Sequence, residues 1–171
     1  MNHTKSFVAV LMGSDSDLER MQGCIDTLRS LDVAFEVRIT SAHRTPEATR
    51  DYVVDAERRG CAVFVAAAGM AAHLAGAVAA NTLRPVIGVP IDAGPLKGMD
   101  ALLSTAQMPA GVPVACVAIG SAGAKNAGFL AAQMLALGDA DLGERLRADR
   151  AAAADKVAAK NRALQDSLER A

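Results

Sequence analysis

A chain of 171 residues with 51% apolar side chains is long enough for one domain whose core is shielded on two faces. Its 18 Lys and Arg stand against 19 Asp and Glu, so there is no basic field to gather nucleic acid or an anionic membrane surface. Aromatic residues make up 3%, with no Trp and one Tyr, which leaves few platforms for stacked bases or a flavin ring.

In chain order, Met1 to Ser6 lacks the long apolar region of a signal peptide. Phe7 to Met12 is an apolar run of strand length, followed by Gly13-Ser14-Asp15-Ser16-Asp17 and a helical pattern reaching Leu31. Val33 to Thr40 reads as the second strand. The next helix opens at Pro46, with Thr45 as N-cap, and runs to Arg59, where Gly60 supplies a left-handed stop. Ala62 to Ala68 is the third strand, with a helix from about Met70 to Leu83 after it. Val86 to Val89 is the fourth strand, followed by a Gly- and Pro-containing loop and a short helix, Met99 to Ala106. Pro113 to Ile119 is the fifth, and Ala124 to Leu137 the helix that closes the core.

Five strands alternating with helices predict a three-layer α/β/α domain on a parallel sheet in flavodoxin-like order. The expected division places this domain at residues 1–138 and a helical tail at 139–171. The tail carries seven acidic and seven basic residues among many alanines, with Leu142, Leu146, Val157, Leu164 and Leu168 widely spaced. So thin an apolar stripe does not fold alone; it lies on the domain or on a neighbouring subunit, the alternative being a solvated, frayed helix. Cys61 to Ala80 is long enough to span a bilayer, but ten of its twenty residues are Ala and two are Gly, which favours a buried strand and helix. Cys24, Cys61 and Cys116 are odd in number and scattered in apolar or helical context, as reduced thiols in a cytoplasmic protein would be.

The chemistry lies where strands end, because ligands of parallel α/β sheets bind beyond the carboxyl ends of the strands. Ser41-Ala42-His43-Arg44-Thr45-Pro46 places a potential acid or base beside a fork-shaped anion clamp. Taken alone, Arg44 can equally pair with a surface carboxylate while His43 caps the helix. Ser14 and Ser16 suit an anion at a helix start and Asp17 suits sugar hydroxyls, a pattern that suggests a ribose phosphate but also fits plain N-capping. The loop has neither common nucleotide fingerprint. Around Gly69 the small residues let a ligand approach the backbone, and His73 is the polar exception there, a residue type that is often simply satisfied within a core. Ser121 to Asn126 is a further candidate anion loop or cap.

Met12-Gly13-Ser14-Asp15-Ser16-Asp17, Ser41-Ala42-His43-Arg44-Thr45-Pro46, Ala71-Ala72-His73-Leu74, Val86-Ile87-Gly88-Val89-Pro90, Gln107-Met108-Pro109-Ala110-Gly111-Val112-Pro113 and Gly123-Ala124-Lys125-Asn126-Ala127, in order and spacing, resemble the PurE family over residues 7 to 137. The resemblance implies a flavodoxin-like subunit, assembled as a homo-octamer, in de novo purine biosynthesis. Within the family, the Ser41 and His73 segments look like the bacterial 5-(carboxyamino)imidazole ribonucleotide mutase, an isomerase that moves a carboxylate from the exocyclic nitrogen to C4. It implies His43 as the catalytic residue and Ser14, Asp17 and Arg44 as ribonucleotide-binding positions, Arg44 on the phosphate and Asp17 on the ribose. Ser16, Ser41, Gly69 and His73 complete the expected substrate-binding set. No metal or organic cofactor is implied.

In the implied reaction, protonating the carbamate nitrogen frees carbon dioxide, which C4 then attacks, and a base removes the C4 proton. An imidazole can serve as acid first and base second. The sequence departs from the family pattern in the third loop: Met70 replaces a Gly, Ala75 a Pro, Ala77 a Met, and Ala67 also stands where Gly is usual. Met70 narrows the pocket, or changes the backbone if that position needs positive φ. The competing readings are an aminoimidazole ribonucleotide carboxylase using free carbon dioxide, a non-catalytic ribonucleotide-binding protein and a flavin-binding flavodoxin; the last suffers from the lack of aromatic cover.

Overall fold

The computed structural model describes residues 6–170, so all but the last residue of the stretch read for a signal peptide lies outside the described residues. Five parallel strands, β1 (Phe7–Met12), β2 (Phe35–Ile39), β3 (Cys61–Gly69), β4 (Val86–Ile91) and β5 (Ala115–Cys116), lie in the order β2-β1-β3-β4-β5. This is the flavodoxin-like order, with β1 as the strand from which the chain winds first to one side and then to the other. Six helices accompany them among the described residues: α1 (Leu18–Ser30), α2 (Pro46–Arg58), α3 (Leu74–Ala79), α4 (Met99–Ala106), α5 (Gly120–Ala136) and α6 (Ala140–Leu168).

All six residues of β1 are buried because the strand is covered on both faces. The period of two along a strand sends Val8, Val10 and Met12 into a core shared with α1 and α5, and Phe7, Ala9 and Leu11 into one shared with α2 and α3. Small residues bring α1 and α5 close: a Cβ added to Gly128 would stand 3.0 Å from the Cys24 carbonyl oxygen. The stretch Cys61 to Ala80 resolves into β3 and α3, and among the described residues no helix is long and apolar enough to cross a membrane.

Three expected elements shift by more than two residues at a boundary. The helix expected from Met70 is only Leu74–Ala79, since Met70 takes φ +56 and the Ala71 carbonyl accepts from His73 N in a turn. The fifth strand shrinks to Ala115–Cys116, and the candidate anion loop Ser121 to Asn126 lies inside α5, which starts at Gly120. An alanine-rich sequence has helical propensity inside and outside its helices, and an edge strand has one neighbour to hold it, so neither limit is marked locally. In contrast, α4 has the bounds its pattern predicts.

The tail segment is one long helix, α6, capped by the Asp139 carboxylate, which accepts from Leu142 N. Leu142 is buried and Arg145 Nε donates to the Leu31 carbonyl at 2.9 Å, so the first turns lie on the domain. From residue 147 onward the described helix is exposed, including Val157, Leu164 and Leu168.

Candidate active site

The loops after β1, β2 and β3 meet in a cleft of about 510 Å³ at the carboxyl ends of the strands, where β1 separates the two winding directions. Every residue expected at the site lines it: Ser14, Ser16, Asp17, Ser41, His43, Arg44, Gly69 and His73, together with Met70 and Ala93.

The loop after β1 is closed on itself by a capping box. Asp17 Oδ2 accepts from Ser14 N at 3.1 Å, and Ser16 N donates to Ser14 Oγ at 3.3 Å and to Asp15 Oδ1 at 3.0 Å. The amides expected to meet an anion are therefore already partnered within the loop. Asp17 is buried, and loss of water raises the pKa of its carboxyl above the ordinary value, against the lowering effect of the Ser14 and Gly13 amides.

Hydroxyls tie the loop after β2. Arg44 N donates to Ser41 Oγ at 3.1 Å, Ser41 N to Thr45 Oγ1 at 3.0 Å, and Thr45 N to the Ser41 carbonyl at 3.0 Å. Thr45 thus holds the N-cap position, with Pro46 opening α2, but its side chain turns back to Ser41 and caps no helix amide. Buried Thr49 ties the knot, its hydroxyl 2.6 Å from Thr40 Oγ1 and 3.0 Å from the Thr45 carbonyl that accepts from it. The guanidinium of Arg44 is exposed and ion-pairs with no carboxylate among the described residues, so it faces the cleft unengaged.

His43 does not cap. Its Nε2 lies 2.7 Å from His73 Nδ1, with the rings nearly perpendicular at 88°. Such a bond needs one donor and one acceptor, so exactly one proton lies between the rings while it lasts. The pair accommodates one imidazolium beside one neutral ring, but not two imidazoliums. His73 stands at the N-terminal end of α3, on a loop fixed from a distance: Ala72 N donates to Ser104 Oγ of α4 at 3.1 Å.

Sequence reasoning gave little weight to Ser104 and none to Thr49, Ala93 or the pair Arg20 Nε–Asp92 Oδ1 at 2.8 Å. Thr49 had a signal, the i,i+4 spacing of hydroxyls from Thr45; the others act across the fold. Among the described residues no group of three or more His, Cys, Asp or Glu side chains is placed to hold a metal ion. Burial pushes the Cys24 thiol up to about 12 and that of Cys61 to about 11, which makes both poor nucleophiles.

An imidazole pair and an unengaged guanidinium at the switch point of a flavodoxin-like sheet define a site for acid–base chemistry on an anionic small molecule. Residues 7–156 match the family model described as AIR carboxylase, and the chain belongs to that family. It is 52% identical over 139 residues to the N5-carboxyaminoimidazole ribonucleotide mutase of Bacillus subtilis (strain 168), covering 81% of this chain and 86% of the relative. Identity to the protein of the same name from Mycobacterium tuberculosis (strain ATCC 25618 / H37Rv) is 53% over 158 residues, covering 92% and 90%. The Escherichia coli (strain K12) protein of that name is 48% identical over 150 residues, covering 88% and 89%. Among solved structures, Treponema denticola PurE superposes with a TM-score of 0.83 at 26% identity, covering 91% of this chain and 96% of that one.

Proposed function

We propose that the protein is an isomerase that converts N5-carboxyaminoimidazole ribonucleotide to 5-amino-4-carboxyimidazole ribonucleotide by releasing and recapturing carbon dioxide. The observation that carries this is the His43–His73 pair, 2.7 Å apart in a cleft with an unengaged arginine, in a chain about half identical to mutases of that name.

Arg44 holds the phosphate, because a planar guanidinium with no internal partner is available for charge-assisted bonds. Asp17 accepts from ribose hydroxyls with Oδ1, the oxygen left over from the Ser14 amide. Ser14, Ser16 and Ser41 orient the same handle, and Gly69 allows the ring to approach the backbone. His43 protonates the carbamate nitrogen; the N–C bond breaks with its electron pair passing to nitrogen, and carbon dioxide is freed. C4 then attacks that carbon, and His43, now neutral, removes the C4 proton and restores aromaticity. The proton borrowed in the first step is recovered in the last, so no net acid or base is consumed. His73, as partner of Nε2, sets the tautomer of His43 and supports the single positive charge the pair can carry.

The reading extends to assembly and location. Residues 1–138 act as the catalytic domain; the tail, 139–171, starts on that domain through Leu142 and Arg145, and its exposed remainder packs on a neighbouring subunit of a homo-octamer. Fully exposed Leu83, nearly fully exposed Leu137, and the bare apolar positions of α6 support an assembled form. The free thiols are consistent with a cytoplasmic location.

The test supplies the carbamate substrate in bicarbonate-depleted buffer and follows the C4-carboxylated isomer by NMR. Product from the wild type and none from His43→Asn is expected. A requirement for added bicarbonate would turn the assignment to carboxylase, and binding without turnover would leave a ribonucleotide-binding protein.

A further inference from the structure

Met70 departs from its small neighbours in the loop after β3, and its backbone takes φ +56. A side chain with a Cβ is sterically disfavoured in the left-handed region. Burial does little to offset that, because Met70 is 54% exposed. The backbone sends the side chain toward Gly94 in the loop between β4 and α4: a Cβ built there would lie 3.3 Å from Met70 Cγ and 3.8 Å from its Sδ. Beside this contact, a Cβ on Gly69 would stand 2.7 Å from Ala93 Cβ, so the two loops are in close contact there as well. The second loop is tied back at its first residue by the Arg20–Asp92 pair. Met70, Gly69 and Ala93 thus form a continuous, largely apolar stretch of the cleft wall that also holds His43 and His73.

Resting on the mutase reading above, we infer that Met70 is a retention residue: its thioether closes the seam between the two loops and keeps freed carbon dioxide beside C4 until the new bond forms. The wall offers CH and sulfur surface with no nucleophile, so its effect is steric. Without it, carbon dioxide escapes and is hydrated to bicarbonate, and the half-reaction ends at aminoimidazole ribonucleotide, the carbamate nitrogen keeping the proton it received.

The experiment supplies unlabelled substrate to the full chain in buffer containing ¹³C-bicarbonate, then measures the ¹³C fraction of the new carboxylate and the aminoimidazole ribonucleotide formed. Met70→Gly and Met70→Ala should raise labelled carboxylate relative to wild type by about tenfold, the low end for losing apolar contact in a pocket. Met70→Leu, which keeps the bulk, should stay near wild type. Incorporation unchanged in both shortened variants would overturn the retention role while leaving the mutase reading intact. Absence of isomer from the wild type would overturn the mutase reading and the retention role together.

Discussion

The loop that carries His43 and the loop that carries His73 flank the same central strand, yet they are held by different forces. After β2, the hydroxyls of Ser41, Thr45 and Thr49 bond the backbone and that of Thr40 bonds the Thr49 hydroxyl, all within nine residues of one another, and no residue of that loop takes positive φ. After β3, Met70 sits in the left-handed region, Gly69 is pressed on Ala93, and the fixing hydroxyl comes from Ser104, 32 residues away. The first loop is specified by its own sequence, whereas the second is specified by the elements packed around it. The His43–His73 pair, built across both, needs each to hold its ring to within a few tenths of an ångström.

Removing the ring that the first loop presents is the most severe perturbation. His43→Asn should lower kcat by about 10²–10⁴-fold, the range for a lost general acid–base, with little change in ribonucleotide affinity because Arg44 and Asp17 remain. A variant that lost affinity and kept its turnover number would show that His43 only binds. Thr49→Val attacks the knot beneath it. The valine fits the buried space and keeps the Thr49 amide on the Thr45 carbonyl, but it removes that carbonyl's second bond and the close partner of the Thr40 hydroxyl, at a cost of about 1–3 kcal/mol read from the urea midpoint. Ser104→Ala is the matching change for the second loop and should cost less, about 1 kcal/mol, because Ser104 is only partly buried and water can replace it. A larger loss at Ser104 than at Thr49 would reverse the comparison.

The same difference explains what could be read from the chain. The His43 loop was legible because a strand-length run, a hydroxyl-rich turn and a Pro at the first helical position are adjacent in sequence. The continuous apolar runs of β1 and β4 likewise read as strands buried on both faces. Gly60 was legible as a helix stop, and it has φ +99. Around His73 the reading of a helix from Met70 to Leu83 misses a turn that alanines do not announce, whereas Thr45 holds the N-cap position its sequence predicts, with its hydroxyl serving Ser41 instead of a helix amide. Met70 stands out in the sequence as a departure whose backbone consequence depends on φ; the positive φ supplies that consequence, while the contact with Gly94 depends on a loop 24 positions on.

Met70→Gly sharpens the contrast through backbone alone. Glycine occupies the left-handed region without the Cβ penalty, so the variant should gain about 1 kcal/mol, seen as a rise of about 2–4 °C in Tm at fixed protein concentration. The corresponding glycine substitution in the relaxed first loop, Ala42→Gly, should lower Tm instead, since it adds only chain entropy to the unfolded state. Equal effects of the two glycines would mean that neither loop carries backbone strain.

The smallest expected effect comes from the loop after β1, where the constraint is charge. The carboxyl of Asp17 has its pKa raised by burial, so its protonated form is favoured in the folded protein. Its contribution to stability is therefore fully present below the ordinary value of 3.8 and is lost as pH rises through the raised folded value. Asn at this position keeps an oxygen for the Ser14 amide and does not titrate. Asp17→Asn should consequently gain stability relative to wild type as pH is taken from about 4 to about 7, measured by paired urea titrations, even as it weakens ribonucleotide binding. A flat difference across that range would show that hydration of the cleft cancels the desolvation, and a falling one that the carboxylate charge is stabilised by the two amides more than burial disfavours it.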